Sequence, residues 1–330
     1  MVLVLALPFL GAALIPLVYR VVGERTAYVA AGVAAVDLGL VASQFGRSGV
    51  VAFDWIPSLG VDLALYVDGL SLLIGLLATG IGVLILVYSR SYMEDHAGKP
   101  RYYATLLAFL GSMLGVAFAA DLVVLFVFWE LTSVTSFLLI GHRRDAASQV
   151  AARKALIVTV AGGLFLLVGL LVLYVVSGQV LGEATFRLVG GDGSILHHAG
   201  AMRAALDDAG LLVPVLLLVG VGIAAKSAQV PLHFWLPDAM EAPTPVSAFL
   251  HSATMVKAGV YLVGRLRPLL GTEEWTILFV TLGLVTMTVT AILAVGARDI
   301  KELLAYSTAS HLGLIVAGFA ITDLAGAETG

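Results

Sequence analysis

Residues 211–240 read LLVPVLLLVGVGIAAKSAQVPLHFWLPDAM, and this stretch decides the fold class. From Leu211 to Ala225 the side chains are almost all apolar. Such a run belongs to a helix that enters a bilayer, whose hydrocarbon takes about 20 helical residues to cross. Lys226 stands within the run, Gly220 and Gly222 precede it, and Pro231 and Pro237 follow it. Proline has no N–H to donate and its ring clashes with the preceding turn, so the helix must break. The spacing predicts two half-helices around an unwound stretch near residues 227–231. Unwound backbone at membrane depth is tolerated where it lines protein or water, and exposed half-helix ends offer partial charges to ions. The competing reading is a span that ends early, with HFWLPDAMEAPTP as an interfacial loop anchored by Trp235.

The rest of the chain agrees with a lipid environment. Of its 330 residues 60% are hydrophobic and 12% charged, with a mean hydropathy of +1.03, more apolar surface than a water-soluble domain can cover. A net charge of −4 without a basic patch argues against nucleic acid as a partner. The absence of cysteine excludes disulfides, thiolate-held iron–sulfur clusters, Cys-rich zinc sites and thiol nucleophiles. The opening MVLVLALPFLGAALIPLVYR lacks a positive leader region and a cleavage site, so it is expected to stay as a first transmembrane helix. Apolar runs near 2–19, 27–45, 66–88, 103–120, 122–140, 155–177, 211–230, 245–264, 275–297 and 302–321 predict an all-α integral membrane protein. It would have about ten transmembrane helices, one of them Pro-broken near 211–240.

Short cytoplasmic loops carry the excess of Lys and Arg. Loops after odd-numbered spans hold eleven: Arg20, Arg25, Arg90, Lys99, Arg101, Arg143, Arg144, Arg153, Lys154, Arg298 and Lys301. The others hold five: Arg47, Arg187, Arg203, Arg265 and Arg267. The asymmetry predicts a multi-pass inner (plasma) membrane protein with its amino terminus outside. The one extended polar segment between spans, 178–210, is read as a loop, with room for a short hairpin. His197 and His198 within it lack a third ligand and are assigned no metal. No nucleophile elbow, P-loop, dinucleotide fingerprint or zinc-protease motif is present, so neither an enzyme active site nor a cofactor is expected.

Five ionisable residues inside apolar spans stand out as candidates. Glu130 sits mid-span in LVVLFVFWELTSVTSFLLIGH, where a carboxyl group serves either proton relay or a structural ion pair between helices. Lys226 and Lys257 place ammonium groups at membrane depth, at a cost of about 2.5–3.5 kcal/mol each on insertion scales. In a regular helix His251 and Lys257 would stand about 9 Å apart along the axis and roughly 120° apart around it, successive stations on an interior surface. A lone His in an apolar helix is also often only hydrogen-bonded core. His311 repeats the pattern beside Ser307, Thr308 and Ser310, whereas Asp299, Lys301 and Glu302 are read as interfacial surface. Alternating acid, base and amine groups across a membrane suit the movement of protons or small cations. A non-transporting membrane scaffold with a buried ion pair is the reading from another class.

The motifs FWELTSVTSFLLIG (128–141), KSAQVPLHFWLPDAMEAPTPVSAFLHSATMVKAGVYLV (226–263) and KELLAYSTASHLGLI (301–315) resemble the core of the antiporter-like subunits shared by Mrp antiporters, respiratory complex I and membrane-bound hydrogenases. The Glu130 helix and KALIVTVAGG after it are most similar to the large, A-type Mrp subunit. The resemblance implies that Glu130 and Lys226 pair, that His251 and Lys257 carry the path toward the next half-channel, and that His311 lies on the connecting axis. It implies two inverted five-helix repeats. Residues 1–95 would be N-terminal helices, 103–265 the first, complete repeat, and 274–330 the start of a truncated second, so the chain is expected to be a fragment. It further implies partners: the other subunits of a sodium/proton antiporter or, alternatively, of a redox-driven complex I-like pump.

Overall fold

The computed structural model describes residues 1–321; the last nine residues, and with them the end of the 274–330 segment, lie outside the described residues. Helices α1 (Val2–Val22) and α2 (Thr26–Ala42) are joined by a 3₁₀ turn at Gly23–Arg25. A β-hairpin follows, β1 (Gly49–Ile56) and β2 (Val61–Val67), antiparallel and closed by Pro57–Leu59, with Gly60 at φ 65°. Then come α3 (Gly69–Tyr92), α4 (Lys99–Phe118), α5 (Leu122–Ile140), α6 (Ala146–Leu181), α7 (Ala199–Asp208) and α8 (Leu212–Lys226). The short α9 (Trp235–Asp238) and α10 (Thr244–Ser247), a π-helical turn at Ala248–Ala253, α11 (Lys257–Leu270), α12 (Glu273–Val295) and α13 (Ile300–Ile321) complete the order. Among the described residues eight stretches are long and apolar enough to cross a membrane, or nine if α7 and α8, bent by 111°, count as one; Val2–Ala42 is one of the eight. The chain is a multi-pass, all-α membrane protein.

Burial follows the sequence pattern. On α6 the outward residues Ile157, Leu164, Val168, Leu171 and Val175 recur at helical spacing and remain exposed, the condition of side chains facing lipid. Its opposite face, with Thr159, Gly162, Leu166, Gly169 and Leu173, packs inward. Helix α4 is the hub, buried over most of its length between α1, α3 and α5. Helices in lipid gain no hydrophobic drive from associating, so close backbone approach matters. Gly283 and Gly313 supply it between α12 and α13, where a Cβ on either would overlap the other's carbonyl.

The loop expectations need correction. The hairpin lies at 49–67, where GVVAFDWIPSLGVDLALYV is rich in β-branched and aromatic residues around a Pro/Gly turn, whereas the 178–210 segment read as a loop holds the end of α6 and the helix α7 with Arg203, its irregular part 182–198 contributing one isolated bridge from Arg187 to Asp121. Arg153 and Lys154, counted as loop cations, stand on α6, because its Asp145 N-cap starts the helix at Ala146. Arg265 and Arg267, also counted as loop, stand on α11.

Candidate intramembrane charge site

The break after α8 is built where expected but is longer, Ser227–Phe234, and its second half is the single turn α9 rather than a half-helix. The last carbonyls of a helix need partners, and here three of them find one within the chain. Ile223 O accepts from Ser227 N–H and Ala224 O from Gln229 N–H, both at 2.9 Å, while Ala225 O accepts from the Trp235 indole at 2.9 Å. Ala228 takes the left-handed conformation that turns the chain. The helix end is thus closed largely by its own chain, and the Lys226 side chain reaches across to α5.

Lys226 is 0% exposed. Its ammonium donates to the Trp129 carbonyl at 2.7 Å and to Ser133 Oγ at 2.8 Å, both on α5, and stands 5.1 Å from the centre of the Trp129 ring. Glu130 is the next residue on that helix after Trp129. Yet no ion pair within 4.0 Å joins it to Lys226, and Glu130 Oε1 is buried without a hydrogen-bond partner, against Gly163 of α6. The expected pair is thus brought together but held open.

His251 is 1% exposed, and neither ring nitrogen has a partner. It lies on the π-helical turn, stabilised where Thr254 Oγ1 donates to the Phe249 carbonyl at 2.6 Å. The indole of Trp235 bonds the end of α8 and also packs against the His251 ring at 5.9 Å, linking the two stations through one side chain. The regular-helix spacing expected for His251 and Lys257 does not hold: the π turn and Thr254, at φ −132° and ψ −88°, interrupt the helix between them. Lys257 opens α11, half-buried. His311 is exposed on α13 and is not brought to the other four.

Several polar groups give no motif in the sequence. Asp37 on α2 is 0% exposed with both carboxyl oxygens unpartnered; it is a single Asp among alanines. Arg265 donates to Asp68 through both terminal nitrogens, at 2.6 and 2.9 Å, and to Tyr261 at 3.0 Å. Burial opposes the charge on Asp68, but the hydrogen bonds and charge of Arg265, with Ser71, hold its carboxyl below the usual range. Lys301, read as surface, donates to the Met240 and Ala242 carbonyls at 2.7 and 2.8 Å. It also borders an open cleft of about 730 Å³ lined by Arg143, Asp238, Glu241, Asp299 and Glu302. Lys154 pairs with Asp238, joining α6 to α9.

Residues 119–329 match a family model described as NADH:quinone oxidoreductase/Mrp antiporter, transmembrane, and residues 55–103 match one described as NADH-ubiquinone oxidoreductase (complex I), chain 5 N-terminus. The A-subunit of a Na(+)/H(+) antiporter from Alkalihalophilus pseudofirmus is 44% identical over 322 residues, 94% of this chain and 38% of that protein. The A/B-subunit of a probable K(+)/H(+) antiporter from Rhizobium meliloti is 48% identical over 266 residues, 79% of this chain and 25% of that protein. The chain therefore spans well under half the length of these relatives. Among solved structures, a chain of the Mrp complex from Dietzia superposes with a TM-score of 0.85 at 35% identity, over 97% of this chain and 34% of that one. A chain of an archaeal membrane-bound sulfane sulfur reductase shares the fold, with a TM-score of 0.81 at 23% identity over 96% of this chain and 51% of that one. The chain belongs to the transmembrane family shared by NADH:quinone oxidoreductase and Mrp antiporters.

Proposed function

We propose that this chain is the proton- and cation-translocating part of a multi-subunit Mrp-type antiporter in the plasma membrane, with its amino terminus outside. Residues 1–95 supply N-terminal helices, 103–265 a translocating repeat and 274–330 the beginning of a second. The observation that carries the reading is the open pair: a fully buried ammonium on a broken helix, bonded to a carbonyl and a hydroxyl, beside a carboxyl group with an unpartnered oxygen. A charge pair fused into one contact has one arrangement. A pair held apart can gain or lose a proton at either member and rearrange, which a proton path requires. Glu130, Lys226, His251 and Lys257 are the stations in order, with Pro231 and Pro237 maintaining the break, and His311 faces the continuation of the path. The lysines and histidines work without a redox group, and the complex exchanges a cation for protons.

The test uses inverted vesicles from antiporter-deficient cells carrying the whole complex. Sodium and potassium are added separately while a pH-sensitive dye reports the gradient. Collapse of the gradient by one of these ions, absent in Glu130→Ala and Lys226→Ala, is the expected result. No response to either cation in the wild type would turn the assignment toward a redox-driven pump or a scaffold.

A further inference from the structure

Two adjacent glycines on α6 meet opposite fates. A Cβ at Gly162 would overlap the Ala225 Cβ and come within 3.4 Å of the Val221 carbonyl, both rigid parts of α8. A Cβ at Gly163 would instead overlap Glu130 Oε1 and stand 3.0 Å from its Cδ. The carboxyl group of Glu130 thus lies in a notch in α6 that exists because residue 163 has no side chain. Neither glycine has a positive φ, so backbone conformation does not demand them. A glycine inside a 36-residue helix costs about 1 kcal/mol relative to alanine, so the notch is maintained against local preference.

We propose that Gly163 is a positioning residue for Glu130, a backbone notch that keeps the carboxyl group turned toward α6 and off the Lys226 ammonium. On α5 the Ser133 hydroxyl and the Trp129 carbonyl engage the ammonium from their side, and the notch retains the carboxyl from the other. Filling the notch pushes Glu130 out. Because the displaced atoms are the far end of a flexible side chain, the helices need not move.

The experiment compares Gly163→Ala, Gly163→Ala with Glu130→Asp, and Gly162→Ala in the full complex. Gly163→Ala is expected to reach the membrane at the wild-type level, to lose cation-driven proton movement by about ten- to a hundredfold, as for displacement of a reacting group by about 1 Å, and to shift its pH profile. Aspartate is one methylene shorter and clears the new methyl group, so the double variant should recover activity relative to Gly163→Ala. Gly162→Ala, pressing on helix α8, should lower the amount of assembled protein instead. The transport arm rests on the function proposed above. A second measurement does not: the carboxyl C=O band of Glu130, isolated by subtracting the infrared spectrum of Glu130→Gln from that of the purified protein, should move in Gly163→Ala. An unmoved band, or a double variant no better than Gly163→Ala, overturns the positioning role. A wild type without ion response, together with a band that does move, overturns only the transport assignment.

Discussion

At Asp68 and Arg265 the carboxylate and guanidinium meet through two hydrogen bonds of 2.6 and 2.9 Å, whereas at Glu130 and Lys226 no ion pair within 4.0 Å forms although α5 and α8 both pack on α6. The first pair ties the start of α3 to α11, and Tyr261 adds a third bond to the guanidinium. A planar fork on a carboxylate has one good geometry and locks it. In the second pair the ammonium is satisfied by neutral oxygens, so its charge is stabilised without being cancelled. The difference separates a closed pair from an open one in the same membrane domain, with the planar guanidinium of arginine in the closed pair and the compact charge of lysine in the open one.

The largest effect that tests this contrast is Lys226→Ala, expected to abolish ion-driven proton movement in vesicles while membrane insertion, read by immunoblot, is retained; ordinary transport in that variant would remove Lys226 from the path. At the closed pair the loss should fall on stability instead. Arg265→Met leaves Asp68 uncompensated and should cost roughly 3–5 kcal/mol, read as a lowered Tm in detergent, and adding Asp68→Leu should restore much of it. A Tm unchanged by Arg265→Met would make the pair incidental. The pH dependence follows from the depressed pKa of Asp68. A group whose folded pKa lies below its unfolded value stabilises above about pH 4, and that contribution disappears as the pH falls through the folded value. Wild-type Tm should thus drop on acidification below about pH 4 more steeply than that of Asp68→Asn. The smallest effect belongs to Lys154 and Asp238, whose side chains are 41% and 42% exposed. Lys154→Gln should change stability by less than about 1 kcal/mol, and a larger loss would mean that the α6–α9 contact holds the fold as the closed pair does.

How much is legible in the sequence depends on the kind of signal. Apolar runs place the helices because lipid imposes their length, and Pro231 and Pro237 mark the break because proline's missing donor acts locally. Lys226 and Glu130 are visible as charges where charges are expensive. The open geometry between them is not visible, because it rests on Gly163 of a third helix and on Ser133, neither of which is unusual by itself. His251 shows the limit of periodicity: its distance from Lys257 presumes an α-helix, and the π turn at 248–253 leaves no mark in the sequence. Arg265 passes for a loop cation because the apolar run thins before α11 ends, and only the fold reveals Asp68, nearly two hundred residues earlier, as its partner.

The unwound segment after Lys226 has one more property. The Val230 N–H is taken by Thr286 Oγ1 of α12, and the Met240 and Ala242 carbonyls by Lys301 of α13. Helices α12 and α13 are in turn pressed backbone to backbone at Gly283 and Gly313. The unwound segment at Val230 and the turn after α9 at Met240 and Ala242 are therefore splinted by the same two-rod frame. A tilt of that frame would either carry Val230 and the turn after α9 along with it or break the three bonds that join them to it.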